Sequence, residues 1–229
     1  MMYRLIMRLV GMAADLFYCR RDIGGTVPEN GPLVLVANHP NALVDPVLVA
    51  RVADRPLRFL AKAPLFDMPV IGWLVRWVGA LPVYRAVDGA STSQNVDTFT
   101  AVHEALIEGD AVCLFPEGVS HSQPALQPLK TGAARMALEA EVRRDFGLGV
   151  RIVPVGLTYR DKAMFRSEVA IQVGVPIPAS RVAPLVAEDD RAAARALTGC
   201  HRRLRQPYIR TLRPRSSFRS AGCFPHDQR

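Results

Sequence analysis

The feature that most constrains the fold of this chain is an apolar run that ends abruptly in a polar turn, within residues 33–46. The run 33–37 predicts a buried strand, because a short continuous apolar segment bounded by turn residues is typical of the strands of a parallel sheet. The turn contains His39 and closes with Asp45 and Pro46, after which apolar residues resume and predict a helix. Open α/β sheets bind ligands at the carboxyl ends of their strands, so this turn is a candidate functional site.

His39 and Asp45 are residue types that work together as a general base and the acid that orients it. A neutral imidazole accepts a proton near neutral pH, and a carboxylate on its other nitrogen fixes the tautomer and stabilises the imidazolium that forms. The competing interpretation is structural. Asp45 precedes Pro46, a residue suited to the first turn of a helix, so Asp45 would cap that helix beside an ordinary loop histidine.

A second apolar strand, predicted over 111–115, runs into the turn Pro116-Glu117-Gly118. A carboxylate at a strand end, beside a candidate base, is suited to binding the hydroxyl groups of an acceptor molecule. Gly118 permits a positive φ or a close approach of the backbone to a ligand. The alternative interpretation of these three residues is a plain turn.

Three basic side chains stand next to predicted secondary-structure elements. Arg85 ends the strand predicted over 79–85, Lys62 follows the strand predicted over 57–61, and Lys130 precedes a predicted helix. Arginine binds phosphate through two parallel hydrogen bonds, and a lysine at a helix N-terminus adds a positive charge to the helix dipole. Taken alone, Arg85 is better explained as an ordinary surface arginine, and Lys130 is equally well explained as a surface lysine.

Four short blocks stand in order between residues 36 and 156. They are Asn-His-Pro-Asn-x-x-x-Asp-Pro at 38–46, Gly followed by five residues and Arg at 79–85, Phe-Pro-Glu-Gly at 115–118, and Val-Pro-Val at 153–155. In this order the blocks resemble those of the glycerolipid acyltransferase superfamily, which includes the PlsC-type lysophosphatidic acid acyltransferases and the glycerol-3-phosphate acyltransferases.

The chain departs from the commoner pattern of that superfamily at three places. Five residues, and not four, separate His39 from Asp45, which is similar to a subgroup with the Asn-His-Pro-Asn wording. Tyr84 stands where an acidic residue often precedes the arginine of the second block. After Gly118 the common Thr-Arg-Ser is replaced by Val-Ser-His-Ser, so His121 is either a substitute donor or a loop residue.

The resemblance implies an α/β fold with a mixed, largely parallel central sheet flanked by helices and preceded by an N-terminal amphipathic helix. It implies transfer of a fatty acyl group from acyl-CoA or acyl-ACP, as co-substrate, to the hydroxyl of lysophosphatidic acid or a related glycerolipid in phospholipid biosynthesis. No cofactor beyond the acyl donor is expected. No serine or cysteine lies in a nucleophile elbow, so an acyl-enzyme intermediate is not expected.

The resemblance also assigns roles to individual residues. His39, oriented by Asp45, is the predicted catalytic base. The predicted substrate-binding residues are Asn38, Lys62, Arg85, Glu117, Gly118 and Lys130. Among them, Arg85 is expected to hold the phosphate of the acceptor, with help from a lysine. Two alternatives stay open: an acyltransferase for another acceptor, such as glycerol 3-phosphate or an amino-lipid, and a non-catalytic membrane-binding homologue.

The net charge of the chain favours anionic partners. The formal charge is +8 at pH 7, which suits anionic lipid headgroups or phosphorylated substrates. No zinc finger, RNA-binding aromatic motif or basic heptad accompanies the charge, so nucleic acid is not expected as a partner. The four cysteines show no CxxC pair, which argues against a metal or disulfide framework and fits a reducing compartment.

The N-terminal residues 3–18 have the spacing of an amphipathic helix. Such a helix would lie in the membrane interface or cover the core of the domain, and membrane contact is the prediction. The predicted division is a membrane-associating helix over 1–21, an acyltransferase domain over 22–206, and a basic disordered tail over 207–229. The predicted location is the cytoplasmic face of the membrane, with peripheral attachment. No apolar run reaches the length of a membrane span.

The rest of the chain predicts ordinary elements. Helices are predicted over 46–52, 68–78, 97–108, 133–144 and 189–205, strands over 151–157 and 168–175, and a polar connector over 22–32. Trp73 and Trp77 lie on one face of their helix, as part of the core, a wall of the acyl pocket or an interfacial anchor, with the first two preferred. His103 is predicted to lie on a helix surface.

Overall fold

The structure, a computed structural model, describes residues 11–12, 14, 16–42, 44–84, 95–118, 127–186 and 189–203, and the structural statements below concern these residues. The strands are β1 (Tyr18–Gly24), β2 (Leu33–Ala37), β3 (Leu57–Lys62), β4 (Leu81–Val83), β5 (Ala111–Leu114), β6 (Arg151–Tyr159), β7 (Ser167–Val173) and β8 (Ile177–Pro178). The α-helices are α1 (Asp45–Ala53), α2 (Ile71–Trp77), α3 (Asn95–Ile107), α4 (Gly132–Val142), α5 (Ala183–Val186) and α6 (Asp190–Arg203). Short 3-10 helices cover Ala63–Asp67 and Ala179–Val182.

These strands form one sheet in the order β1-β7-β6-β2-β5-β3-β4, and β8 pairs with the start of β6. Strand β2 lies between β5 and β6 and is parallel to both. Strands β5, β3 and β4 continue the parallel arrangement, whereas β7 is antiparallel to β6, and β1 is parallel to β7. The carboxyl ends of β2 to β6 therefore meet the amino ends of β1 and β7 at one edge of the sheet, called the carboxyl edge below.

Alternate residues of the central strands pack into two apolar layers, as the two-residue period of a strand requires. Val34 and Val36 of β2 belong to a layer completed by α3, α4 and α6. Leu33 and Leu35 belong to the opposite layer, which α1 covers and to which Phe17 contributes. Because both faces are covered, the central strands are continuous apolar runs, which is why the sequence identifies them.

Strand β1 differs from the prediction. The helix predicted over 3–18 and the connector predicted over 22–32 leave no strand between them, yet Tyr18–Gly24 pairs with β7. An edge strand needs a partner on one side only and commonly carries charged residues, so its sequence, which includes Arg20 and Arg21, lacks the apolar run of a central strand. The predicted boundary at residue 21 falls inside this strand. Of the predicted N-terminal helix, residues 11, 12, 14, 16 and 17 are helical and residues 3–10 lie outside the described part.

Three other elements differ in detail. The helix predicted over 68–78 is the shorter α2, preceded by a 3-10 helix, and the strand predicted over 79–85 is only β4. His103, predicted on a helix surface, is 1% exposed, because α3 packs against α4 through the face that carries it. Among the described residues, no helix is both long and apolar enough to cross a membrane. The tail over 207–229 lies outside the described residues.

Candidate active site

The turn after β2 brings His39 and Asp45 together at the carboxyl edge. Nδ1 of His39 lies 3.0 Å from Oδ2 of Asp45. A carboxylate only accepts hydrogen bonds, so Nδ1 carries the proton and donates it, and Nε2 is left as the basic nitrogen. The His39 side chain is 17% exposed, whereas that of Asp45 is fully buried. The five residues between them therefore still permit the contact, and the ring remains open to a ligand.

The carboxylate of Asp45 does not cap helix α1. The cap position is occupied by Val44, without a side-chain hydrogen bond to the helix. Instead the carboxylate turns back toward the loop: the backbone N–H of Asn41 donates to Oδ2 at 2.7 Å, and the hydroxyl of Tyr159 donates to Oδ1 at 2.5 Å. The structural interpretation of Asp45 as a helix cap is therefore wrong, and its oxygens serve the loop and the histidine.

A second side of the His39 ring is fixed by Phe115, which follows β5. The two rings are stacked, with centroids 3.9 Å apart and planes 18° from parallel. With Asp45 at its Nδ1 edge and Phe115 on one face, the imidazole has little freedom to rotate. A base held in this way needs no reorientation before it takes a proton, which favours general-base chemistry.

Asn38, predicted to bind substrate, is engaged with the backbone. Its Nδ2 donates to the carbonyl of Leu157 at 2.9 Å, and its Oδ1 accepts from the N–H of Leu157 at 2.7 Å. This pair of bonds continues the β2–β6 ladder by one step beyond Ala37. The geometry favours a role for Asn38 in holding the start of the His39 loop against β6.

Glu117 is likewise buried and accepts backbone hydrogen bonds. Its Oε1 accepts from the N–H of His39 at 3.4 Å, and its Oε2 accepts from the N–H of Gln127 at 3.0 Å. The carboxylate thus joins the turn after β5 to the loop after β2 and to the segment before α4. The sequence prediction that Glu117 belongs to the same site as His39 agrees with this contact.

Gly118 and Lys130 also come together. Gly118 has a φ of +73°, and a Cβ placed on it would lie 2.6 Å from Nζ of Lys130. The backbone N–H of Lys130 donates to the carbonyl of Pro116 at 3.0 Å, which holds the segment before α4 against this turn. The glycine thus leaves room for the lysine side chain, whose positive charge lies beside the turn after β5.

The other predicted site residues are Lys62, Arg85 and His121. Lys62 is exposed at the end of β3, which puts it on the carboxyl edge. Arg85 and His121 lie outside the described residues, so their predicted roles remain predictions. No group of three or more His, Cys, Asp or Glu side chains suited to a metal ion occurs within the described ranges.

Residues that sequence reasoning missed are Tyr159, Tyr18 and Lys162. Burial, followed by the negative charge of Asp45, raises the pKa of Tyr159 far above its ordinary value, so its phenol remains a donor. Burial likewise raises the pKa of Tyr18, whose hydroxyl donates to the carbonyl of Lys162 at 3.2 Å and accepts from Nδ2 of Asn41 at 3.3 Å. Nζ of Lys162 donates to the carbonyl of Pro40 at 3.0 Å. The available signal was a tyrosine at the carboxyl end of an apolar strand.

Comparison with known proteins shows which sequences and structures this chain is similar to. Residues 20–158 match the family model described as Acyltransferase. The chain is 42% identical over 88 residues to glycerol-3-phosphate O-acyltransferase 2 of Saccharomyces cerevisiae, a match that covers 38% of this chain and 12% of that protein. It is 32% identical to the 1-acyl-sn-glycerol-3-phosphate acyltransferase BAT2 of Brassica napus, over 65% of this chain and 40% of that one. It is 30% identical to a lyso-ornithine lipid O-acyltransferase of Pseudomonas aeruginosa, over 73% of this chain and 53% of that one.

A solved structure confirms the fold. The chain matches the 1-acyl-sn-glycerophosphate (LPA) acyltransferase PlsC of Thermotoga maritima with a TM-score of 0.58 and 19% identity, over 86% of this chain and 79% of that one. The predicted α/β architecture, with a mostly parallel central sheet flanked by helices, is therefore confirmed. The chain spans less than two thirds of each of the three curated relatives named above.

Proposed function

Because the chain belongs to the acyltransferase family, whose model matches residues 20–158, we propose that it moves a fatty acyl group from a thioester donor to the hydroxyl of a lysophospholipid. The observation that carries the proposal is the His39–Asp45 pair, with Nδ1 bound at 3.0 Å and the ring partly open at the carboxyl edge. This is the arrangement of a general base whose second nitrogen can accept a proton from a substrate.

The chemistry follows from that geometry. Nε2 of His39 takes the proton from the acceptor hydroxyl as its oxygen attacks the carbonyl carbon of the thioester. Asp45 stabilises the imidazolium that forms. When the tetrahedral intermediate collapses, the carbon–sulfur bond breaks and the departing thiol takes the proton from His39. The products are the acylated acceptor and a free thiol, and the histidine is neutral again.

The first acceptor we propose is lysophosphatidic acid. Its phosphate would be bound by Arg85, together with Lys62 or Lys130, at the carboxyl edge. Support comes from the position of Lys62 at the end of β3 and from the contact of Lys130 with the turn after β5. Glu117 would order the two loops that form the acceptor site. The donor would be acyl-CoA or acyl-ACP, which differ only beyond the phosphopantetheine thioester.

Two of the relatives favour other acceptors. Similarity to a lyso-ornithine lipid acyltransferase extends over 73% of the chain, and the stretch of 42% identity belongs to a glycerol-3-phosphate acyltransferase. An amino-lipid would reach the same base with a different polar group in the anion site, whereas glycerol 3-phosphate would bring the same phosphate without an acyl chain. A panel of the three acceptors separates these candidates directly.

We also propose that the protein attaches peripherally to the cytoplasmic face of a membrane. Four exposed apolar residues between β3 and the end of α2 form what we call the α2 patch: Met68, Val70, Trp73 and Leu74. Trp73 is 64% exposed and stacks on Trp77, with ring centroids 6.4 Å apart, so the interpretation of these rings as part of the core is wrong for Trp73, and the pocket wall stays a prediction. Tryptophan at an exposed apolar patch is typical of membrane interfaces.

The backbone of the α2 patch adds to this argument. Val70 has a φ of +60° and is 79% exposed. This conformation is strained for a β-branched residue, and strained backbone is concentrated at functional sites. The patch follows the carboxyl end of β3, so it lies on the same edge as His39. An amphiphilic acceptor could then pass from the bilayer to the base without crossing the molecule.

The test of the function is thiol release from palmitoyl-CoA, with and without lysophosphatidic acid, for the wild-type protein and His39→Ala. We expect release that depends on the acceptor and falls at least about 100-fold in the variant, since general-base catalysis contributes about 10²–10⁴-fold. Glu104→Gln, at an exposed position on α3, serves as the control and should retain activity. Release equal in the wild type and His39→Ala would contradict the proposal.

A second round covers the other substrates. If palmitoyl-CoA gives no release, the assay is repeated with acyl-ACP and with glycerol 3-phosphate and lyso-ornithine lipid as acceptors. Acceptor-dependent release with any of them, lost in His39→Ala, assigns that acceptor. No release with any pair would favour a non-catalytic membrane-binding protein.

A further inference from the structure

Asp45 receives a hydrogen bond from a second side chain, which the reaction just proposed does not use. Its Oδ2 faces Nδ1 of His39 and the N–H of Asn41, while its Oδ1 accepts from the hydroxyl of Tyr159 at 2.5 Å. The Asp45 side chain is fully buried, so no water competes for Oδ1. A buried carboxylate is held in one orientation only when donors occupy both of its oxygens.

Tyr159 is placed to be such a donor. It is the last residue of β6, and its ring packs on that of Tyr18 with centroids 5.2 Å apart. Strand β6 is also the strand whose Leu157 binds both polar atoms of Asn38. One strand therefore fixes the His39 loop at its start, through Asn38, and at its end, through Asp45.

We propose that Tyr159 is a positioning residue, which acts on His39 through Asp45. It aims Oδ2 at the imidazole and takes up part of the negative charge of the carboxylate. The inference rests on the proposed function for its effect on turnover, but the contact and its influence on the histidine can be tested without any reaction.

The physical argument has two parts. Without the hydroxyl, no other described residue donates to Oδ1, and the carboxylate can rotate about its χ2 angle, which misdirects Nε2. More of the negative charge of the Asp45 carboxylate then acts on the Nδ1 proton. The imidazolium is stabilised, and His39 keeps its proton to a higher pH. The first effect lowers turnover, and the second displaces its pH dependence.

The other titratable groups around the pair are unchanged by this substitution. Glu117 faces His39 from the turn after β5, and Tyr18 faces the loop from β1. Lys162 binds the carbonyl of Pro40, and the charge of Asp161 acts on Tyr18. A displacement of the pH profile in a Tyr159 variant is therefore traced to the Tyr159–Asp45 bond.

The test is Tyr159→Phe, which removes the hydroxyl and keeps the ring. We expect kcat to fall about tenfold, as for loss of a hydrogen bond to a charged group, with KM for both substrates within about twofold. The acid limb of the kcat profile should move toward higher pH. A fall in kcat without movement of that limb would indicate a structural role only and overturn the proposal.

A spectroscopic measurement makes the result independent of turnover. The proton on Nδ1 of His39 should be seen by NMR at low field, and in Tyr159→Phe it should move further downfield, because its acceptor carries more charge. The matched control is Tyr18→Phe, which removes a neighbouring hydroxyl that does not touch Asp45, and which should leave this resonance in place. A shift in Tyr159→Phe supports the inference even if no acyl transfer is found, whereas an unchanged resonance overturns it whatever the activity.

Discussion

Gly118 combines a left-handed backbone with a close side-chain neighbour, and the two effects can be separated. Gly118→Ala places an L-residue at positive φ, which lowers the free energy of unfolding by about 1–2 kcal/mol. It also places a Cβ 2.6 Å from Nζ of Lys130. The lysine must move, so we expect KM for an anionic acceptor to rise severalfold. Thermal unfolding and acceptor kinetics measure the two effects.

The control for that substitution lies elsewhere in the chain. Gly109 also has a positive φ, of +84°, but a Cβ there meets nothing within 4 Å. Gly109→Ala should lower the melting temperature by a similar amount and leave the KM for acceptor unchanged. An equal rise of KM in both variants would mean that the Lys130 contact has no part in binding.

Single residues of the site were predictable to different degrees. His39, Asp45 and Glu117 were predicted because each is a polar residue placed after an apolar strand, and that local pattern is visible in the sequence. The hydrogen bonds of Asn38 and Glu117 to backbone groups were not predictable, because their partners are set by which strands are neighbours.

At the level of elements, the packing of α3 on α4 buries His103. Its Nε2 lies 3.4 Å from Oε2 of the half-exposed Glu139, and burial, followed by the charge of Arg143, lowers the pKa of His103 to about 4. The folded-state pKa is thus below the unfolded value of about 6.5, so the unfolded chain binds more protons between these values. The free energy of unfolding is therefore unaffected by His103 above pH 6.5, and protonation of His103 lowers it as the pH falls from 6.5 toward 4.

We expect the free energy of unfolding to fall by on the order of 2 kcal/mol over this range, a value already reduced because the Glu139 carboxylate partly stabilises protonated His103. His103→Leu, which keeps an apolar side chain and removes the titration, should reduce the decline between pH 6.5 and 4. Urea unfolding of both proteins across this range gives the measurement. Parallel declines in the two proteins would show that other groups control the acid sensitivity.

On the scale of the whole molecule, the α2 patch and the site share the carboxyl edge, so attachment and catalysis would be coupled. Trp73→Ser should reduce sedimentation with vesicles of anionic phospholipid several-fold, because it removes the most exposed aromatic surface of the patch. Activity on a dispersed, short-chain acceptor should be unchanged.

Val175→Ser is the matched control for this measurement. Val175 is 73% exposed and follows β7, whose end lies at the opposite edge of the sheet. If the two substitutions reduce vesicle binding equally, or if neither does, the α2 patch is not the membrane-contacting surface.

The sequence by itself determined the central strands, the order of the four blocks and the family, because these depend on short-range patterns: a buried strand is apolar along its length, and its polar turn is local. Tertiary structure decided the rest. Tyr159 is 114 residues from Asp45, and it reaches the carboxylate only because β6 pairs with β2. Strand β1 exists because β7 offers it an edge, His103 is buried because α4 covers it, and Trp73 is exposed because no described element covers it. Each depends on contacts between distant parts of the chain, which a local pattern does not encode.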